Sequence, residues 1–331
     1  MNYLLSKQSW LTWLGATLLV LCLIIFIAIM LRPVTNYAEA RKAWISTESS
    51  LLDREGEVIH SLRIDHKARR LAWISLDDMS PILIKHLLQA EDRRFYQHHG
   101  VDVGSASAAM WNALRRGPPR GASTISMQLA GILDPHLQAK NSHRTSQQKF
   151  LQMLSAIKLD ARWSKKQILE TYLNYASFRG ELQGIAAASQ GLFGKTPSGL
   201  NANESLILIA LLRAPNASAE SITQRACKLS SATNTNVDCA NMRLRVQDAL
   251  AHHAPVNDSG IASHAAHELV KVSGTSIASS VDKNLQQYAT EILKQQLTAL
   301  KDQHVADGAL LVVDNQSGAV LAYVGNGGDT A

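Results

Sequence analysis

The chain has 331 residues, 46% of them hydrophobic and 5% aromatic, enough for a substantial core in one large or two modest domains. Its net charge of +6 suits an anionic partner such as nucleic acid, lipid headgroups or a phosphate-bearing substrate. Nucleic acid is set aside, because no Lys/Arg run interleaved with aromatics occurs.

Residues 1–8 read as a short tail. Residues 9–31, SWLTWLGATLLVLCLIIFIAIML, carry no charge, and at about 1.5 Å per helical residue they are long enough to cross a bilayer core. Trp10 and Trp13 lie near one end, as interfacial aromatics do. Ala38-Glu39-Ala40 offers an A-x-A cleavage pattern, but it lies well past an apolar run that is itself too long for a signal peptide. The segment therefore reads as an uncleaved transmembrane anchor. Lys7 before it and Arg32, Arg41 and Lys42 after it do not by themselves fix its orientation.

Residues 43–64 alternate about an Asp-Arg-Glu-Gly turn and predict a β-hairpin. Residues 76–225 then read as mostly helix. In SPILIKHLLQAE, Ser80 and Pro81 open a helix whose stripe of Ile84, Leu87 and Leu88 leads on to Glu91. QKFLQMLSAIKLDARW places Phe150, Leu154, Ile157 and Ala161 on one face, predicted to be the buried one. NANESLILIALL opens with Asn201 and Glu204 in capping-box spacing and is apolar enough to be buried. From about 214 to 280 Ala, Ser, Asn and Thr dominate, and residues 226–280 read as a linker. Cys227 and Cys239 within it are read either as a disulfide or as two thiols. DKNLQQYATEILKQQLTALKDQ predicts an exposed amphipathic helix, and GALLVVD and AVLAYVG two strands. A lone hairpin is marginal in water, so residues 281–331 read as the opening of an incomplete domain.

Four stretches carry candidate chemistry. Glu91 occupies an apolar-stripe position, where a carboxylate partly stripped of water suits a general base. The bland alternative is a helix-terminal Glu paired with Arg93 or Arg94. His98 and His99 are candidates for orienting it. GASTISMQLA, residues 121–130, offers hydroxyls and backbone N–H groups to an oxyanion, though it lacks a P-loop ending. Gln148, Lys149, Gln152 and Ala156 share a face apart from the apolar one, and that face either holds a diphosphate or is simply solvated. SKKQILETYLN places Glu170 between apolar positions, which is also what an ordinary amphipathic helix does. His264, His267 and Glu268 lack the order of a zinc hydrolase.

Taken together and in this order, the four stretches resemble the family 51 peptidoglycan glycosyltransferases. EDRRFYQHHGVD resembles the first motif of that family through Glu91, Asp92, Phe95, His98 and Gly100. GASTISMQLA resembles the second through Gly121, Ser123, Thr124, Ile125 and Gln128. QKFLQMLSAIKLD resembles the third, and SKKQILETYLN resembles the fourth at Lys165, Ile168, Leu169, Glu170, Tyr172, Leu173 and Asn174. RAPN, beginning at Arg213, resembles the fifth. The tail from Asp282 to Gly325 is similar to the start of the transpeptidase half of class A penicillin-binding proteins, and STISMQ followed by ILDPH is most similar to their 1C branch.

The resemblance implies a mainly α fold: a lysozyme-like helical glycosyltransferase domain over 43–225, following a transmembrane helix, with a small β-hairpin and a truncated α/β segment at the C-terminal side. It implies polymerisation of lipid II onto a strand held on undecaprenyl diphosphate, with inversion and with Glu91 as general base. Asp92, Phe95, His98, Ser123, Thr124, Gln128, Lys149, Gln152, Lys165, Glu170, Asn174 and Arg213 would bind substrate. Lys149 and Lys165 would steady the departing diphosphate. It further implies a divalent cation, Mg or Mn, as in relatives, a bacterial inner membrane with the catalytic domain on its periplasmic side, and other cell-wall synthesis proteins as partners. Val101, Val103, Met110 and Trp111, beside Arg115, Arg116 and Arg120, would dip into the bilayer interface. Three positions depart from the family pattern: Gly131 and Gln148 stand where basic residues are usual, and Gln152 where a second glutamate is usual. No K-T-G occurs, so covalent penicillin binding is not expected. A membrane-anchored muramidase or lytic transglycosylase, and a non-catalytic lipid II-binding scaffold, are the alternatives.

Overall fold

The computed structural model describes residues 35–115, 123–138, 145–235, 237–251 and 258–327, with positions 13, 16, 17 and 20. The predicted anchor at 9–31 falls almost wholly outside them, as do Met110's side chain, Arg116, Arg120 and Gly121. Among the described residues no helix is long and apolar enough to cross a membrane. The chain is mainly helical and divides into two units, one of Met1–Lys42 with Leu87–Tyr175, the other of Ala43–His86 with Ala176–Ala331.

The first unit holds α1 (Tyr37–Ala43) and the end of α2 (Pro81–Glu91), then α3 (Val103–Leu114), α4 (Ile125–Leu133), α5 (Ser146–Arg162) and α6 (Lys165–Tyr175). The start of α2 belongs to the second unit, where Pro81 occupies the first helical position, as expected, and the Ser80 hydroxyl donates to the Leu200 carbonyl. Helix α4 is capped by Thr124, whose hydroxyl accepts from Met127 N–H. Thr145 and Gln148 form a capping box at the start of α5, so Gln148 serves the helix end. Helices α5 and α6 flank α4, whose residues Ile125, Met127 and Leu129 are fully buried.

The buried face of α5 is only in part the predicted one, with Leu154 buried as expected. Phe150 and Ile157 are exposed, whereas Gln152, Ala156 and Leu159 are buried. The reason is Gly100, at φ +85, whose Cα packs directly on the Ala156–Ile157 backbone where a Cβ would collide. That close approach selects the small-residue side of the helix over the more apolar one.

In the second unit, β1 (Glu48–Leu52) and β2 (Val58–Arg63) form the expected hairpin. Asp53 turns it by accepting from the N–H groups of Glu55 and Glu57, with Gly56 at φ +86. The short β3 (Ser177–Arg179) and β4 (Leu182–Gln183) precede α7 (Ile185–Phe193) and α8 (Ala202–Arg213). The Asn201–Glu204 capping box of α8 is present as expected.

Residues 226–280 are not a loose linker. They contain the end of α9 (Ala219–Ala232), α10 (Cys239–Ala251), β5 (Asp258–Gly260), α11 (Ser263–Leu269) and β6 (Ser276–Ala278). Strands β5 and β6 add to the hairpin in the order β5-β2-β1-β6, with β6 parallel to β1. Ala262, Ala265, Ala266 and Val270 pack on Leu51, Ile59 and Leu62. Small residues that look unstructured in sequence thus fill the space over a sheet face. A disulfide joins Cys227 and Cys239 across the α9–α10 connection.

Helix α12 (Lys283–Ala299) lies on the antiparallel pair β7 (Leu310–Val313) and β8 (Val320–Val324). Leu285, Ala289 and Leu293 pack on Leu310, Val312, Ala322 and Val324. The helix is therefore half-covered, and Gln286, fully buried, bonds to both Tyr323 N–H and its carbonyl.

Candidate active site

Glu91 is the last residue of α2, partly exposed. Its Oε2 accepts a 3.0 Å hydrogen bond from Gln128 Nε2. Asp92 follows and is buried. Its Oδ2 accepts from the backbone N–H of Ile125 at 3.0 Å, and His98 Nε2 lies 3.0 and 3.1 Å from its two oxygens. Ile125 and Gln128 are three residues apart and so lie on one face of α4. Two consecutive carboxylates therefore dock on consecutive turns of one helix, and the second, Asp92, meets the helix's positive end at the Ile125 N–H. Thr124 completes the joint by donating to the Gly100 carbonyl at 2.5 Å.

His98 does not orient Glu91 as expected. It is buried against Asp92 and edge-on to Phe95, while His99 is exposed. Gln128 bonds Glu91, and its Oε1 in turn accepts from Tyr172 Oη on α6 at 2.9 Å.

Other predicted site residues are committed inside the protein. Lys165 Nζ donates to Asp160 Oδ2 and to the His98 carbonyl, each at 2.7 Å, and sits 4.5 Å from the centre of the Phe95 ring. Asp160 also accepts from Ser126 Oγ at 2.8 Å. Gln152 is 3% exposed and its Nε2 donates to the Met127 carbonyl at 2.6 Å. These groups tie α4, α5, α6 and the loop after Glu91 into one block. Glu170 is buried and accepts from Tyr37 Oη, and Asn174 Nδ2 donates back to the Glu170 carbonyl. Burial, with the neighbouring Glu170 carboxylate, raises the Tyr37 phenol above its usual range. Ser123 and Lys149 are exposed on the first unit, and Arg213 is exposed at the end of α8 in the second.

Beyond Glu91, a cleft of about 470 Å³ is lined by Arg94, His98, Val101, Asp102, Val103 and Ile157 among others. Asp102 caps α3 there. Burial works against its ionisation, but bonds from Ser105 N–H and Oγ and from the Arg94 guanidinium prevail and lower it to about 2. Val103 and Trp111 are exposed, with the Arg115 guanidinium 4.7 Å from the Trp111 ring centre.

The model of the Transglycosylase family matches residues 55–237. The chain belongs to that family. It is a glycosyltransferase by that membership, and the stretches singled out in the sequence fall inside the matched region. Among curated proteins, it is 40% identical over 144 residues to penicillin-binding protein 1C of Escherichia coli strain K12, covering 43% of this chain and 18% of that protein. It is 37% identical over 145 residues to a biosynthetic peptidoglycan transglycosylase of Rhodospirillum centenum, covering 43% of this chain and 60% of that one. Against penicillin-binding protein 2D of Bacillus subtilis strain 168 it is 25% identical over 338 residues, which covers 95% of this chain and 47% of the relative. The chain thus spans less than two thirds of each of these relatives.

Sequence reasoning missed Tyr172, Asp160 and Tyr37. Tyr172 stood inside a matched motif, but nothing in a helical repeat says which residue its hydroxyl will reach. Asp160 and Tyr37 left no signal beyond their polarity.

Proposed function

We propose that this chain polymerises lipid II into glycan strands, with Glu91 as the general base that takes the proton from the acceptor sugar hydroxyl. The freed oxygen attacks the anomeric carbon of the strand held on undecaprenyl diphosphate, from the face opposite the diphosphate, and inverts it. The diphosphate leaves with the bonding electron pair. It is a good leaving group, so the protein's task is to place positive and hydrogen-bonding groups near it rather than to supply a strong acid. Lys149 and Ser123, exposed on the same unit as Glu91, suit that task better than Lys165 and Gln152, whose polar groups are engaged.

The observation that carries this reading is the Glu91–Gln128 contact. The amide N–H orients the carboxylate through one oxygen while Glu91 stays partly exposed, within reach of an acceptor hydroxyl. The names of the relatives as peptidoglycan transglycosylases support the substrate class.

A divalent cation is not given protein ligands here. Among the described residues no group of three or more His, Cys, Asp or Glu side chains is placed to hold one, and Asp92, beside Glu91, is engaged by Ile125 and His98.

Residues 9–31 would anchor the domain in the bacterial inner membrane, its catalytic side periplasmic, where substrates with isoprenoid tails reside. Val103 and Trp111 would meet the headgroups. Other cell-wall synthesis proteins would be its partners. The test is polymerisation of lipid II by the wild type and by Glu91→Gln. Strand formation by the wild type alone supports the reading. Equal failure of both favours a scaffold, and cleavage of finished peptidoglycan favours a muramidase.

A further inference from the structure

The amide of Gln128 has two unlike ends, and only one of them suits Glu91. An ionised carboxylate accepts hydrogen bonds and cannot donate, so Nε2 must face Glu91 and Oε1 must face away. Facing away puts that carbonyl oxygen towards the interior, between α4 and α6, where it needs a donor. Tyr172 supplies one. Its side chain is 2% exposed among Leu169, Leu173 and Ile168, which are fully buried, and its Oη lies 2.9 Å from Oε1.

We propose that Tyr172 is a positioning residue for the general base, acting through Gln128. This rests on the reading of Glu91 as the base. The phenol holds the amide in one plane and one orientation, and the amide holds the carboxylate towards the acceptor hydroxyl. If the amide turned over, its carbonyl would face the carboxylate, two acceptors in contact with no proton between them. Tyr172 touches no reacting atom in this scheme. Its effect is on how much of the time Glu91 is aimed, and so on kcat rather than on substrate affinity.

The experiment is a double-mutant cycle on the full chain, with lipid II polymerisation as readout: wild type, Tyr172→Phe, Gln128→Ala and the pair. Tyr172→Phe is expected to lower kcat about tenfold with KM unchanged, and to add nothing once Gln128→Ala is present. A merely structural tyrosine would lower the melting temperature and give additive losses, which would overturn the proposal. So would an unchanged kcat in Tyr172→Phe beside an active wild type, and that result would leave the base assignment standing. A second measurement does not depend on turnover. The side-chain amide protons of Gln128, followed by nitrogen-15 NMR, should include one slowly exchanging proton in the wild type. That proton should be lost in both Tyr172→Phe and Glu91→Ala. Its persistence in Tyr172→Phe overturns the relay even if the wild type polymerises nothing.

Discussion

Asp92 Oδ2 lies 3.0 Å from the backbone N–H of Ile125, so the residue after the proposed base is fastened to the start of α4. Asp92 and His98 are both buried, and removing the carboxylate strands two donors at once. Asp92→Ala is therefore expected to cost about 2–4 kcal/mol in urea unfolding, and Asp92→Asn about half of that. A stability equal to wild type in Asp92→Ala would show that the joint between the first two motifs is made elsewhere.

Gln152 stands where the family pattern usually has glutamate, and replacing it with glutamate looks like a repair. The structure predicts the opposite. The Gln152 amide donates to the Met127 carbonyl, and a carboxylate in that place would oppose the carbonyl oxygen while buried. Gln152→Glu should lose about 2–3 kcal/mol of stability near neutral pH. Thermal melts of the two proteins check this, and a stabilised variant would contradict it.

Cys227 and Cys239 close a loop at a sequence separation of 12. Chain-entropy reasoning assigns such a link about 3 kcal/mol. Reduction with a dithiol, or Cys227→Ser, should lower the melting temperature of the second unit. Reduced and oxidised protein with the same melt would remove the disulfide from the stability account.

Asp102 has a sharper dependence on pH. Its folded value, about 2, lies below its ordinary 3.8. Its contribution to stability is complete above the ordinary value and is lost as pH falls towards 2. Asp102→Ala, which also removes the cap of α3, should cost about 1 kcal/mol at neutral pH. The gap to wild type should narrow in acid, as read by denaturant unfolding at both ends. A gap that widens in acid would contradict the assignment.

The order of these elements was legible where local chemistry sets structure. The Asp53 turn, the Asn201–Glu204 box and the Pro81 start each need only neighbours in sequence. The burial of α5 was not, because a partner 56 residues away decides it: Gly100 selects Ala156, and the more apolar Phe150 is left outside. The 226–280 region was misread for a related reason. Its alanines look featureless along the chain but are the right size to pack on Leu51 and Ile59. In the site, Glu91 stood out because it interrupts an apolar stripe. Tyr172 did not, since its hydroxyl gains meaning only when α6 lies beside α4.

The most direct test of the account is the rate of lipid II polymerisation by the wild type and by Glu91→Gln, each shown to be folded by the same thermal melt. Removal of a general base should lower the rate by about a hundredfold to ten-thousandfold while the melt stays within a few degrees. A Glu91→Gln protein that builds glycan strands at the wild-type rate would contradict the account.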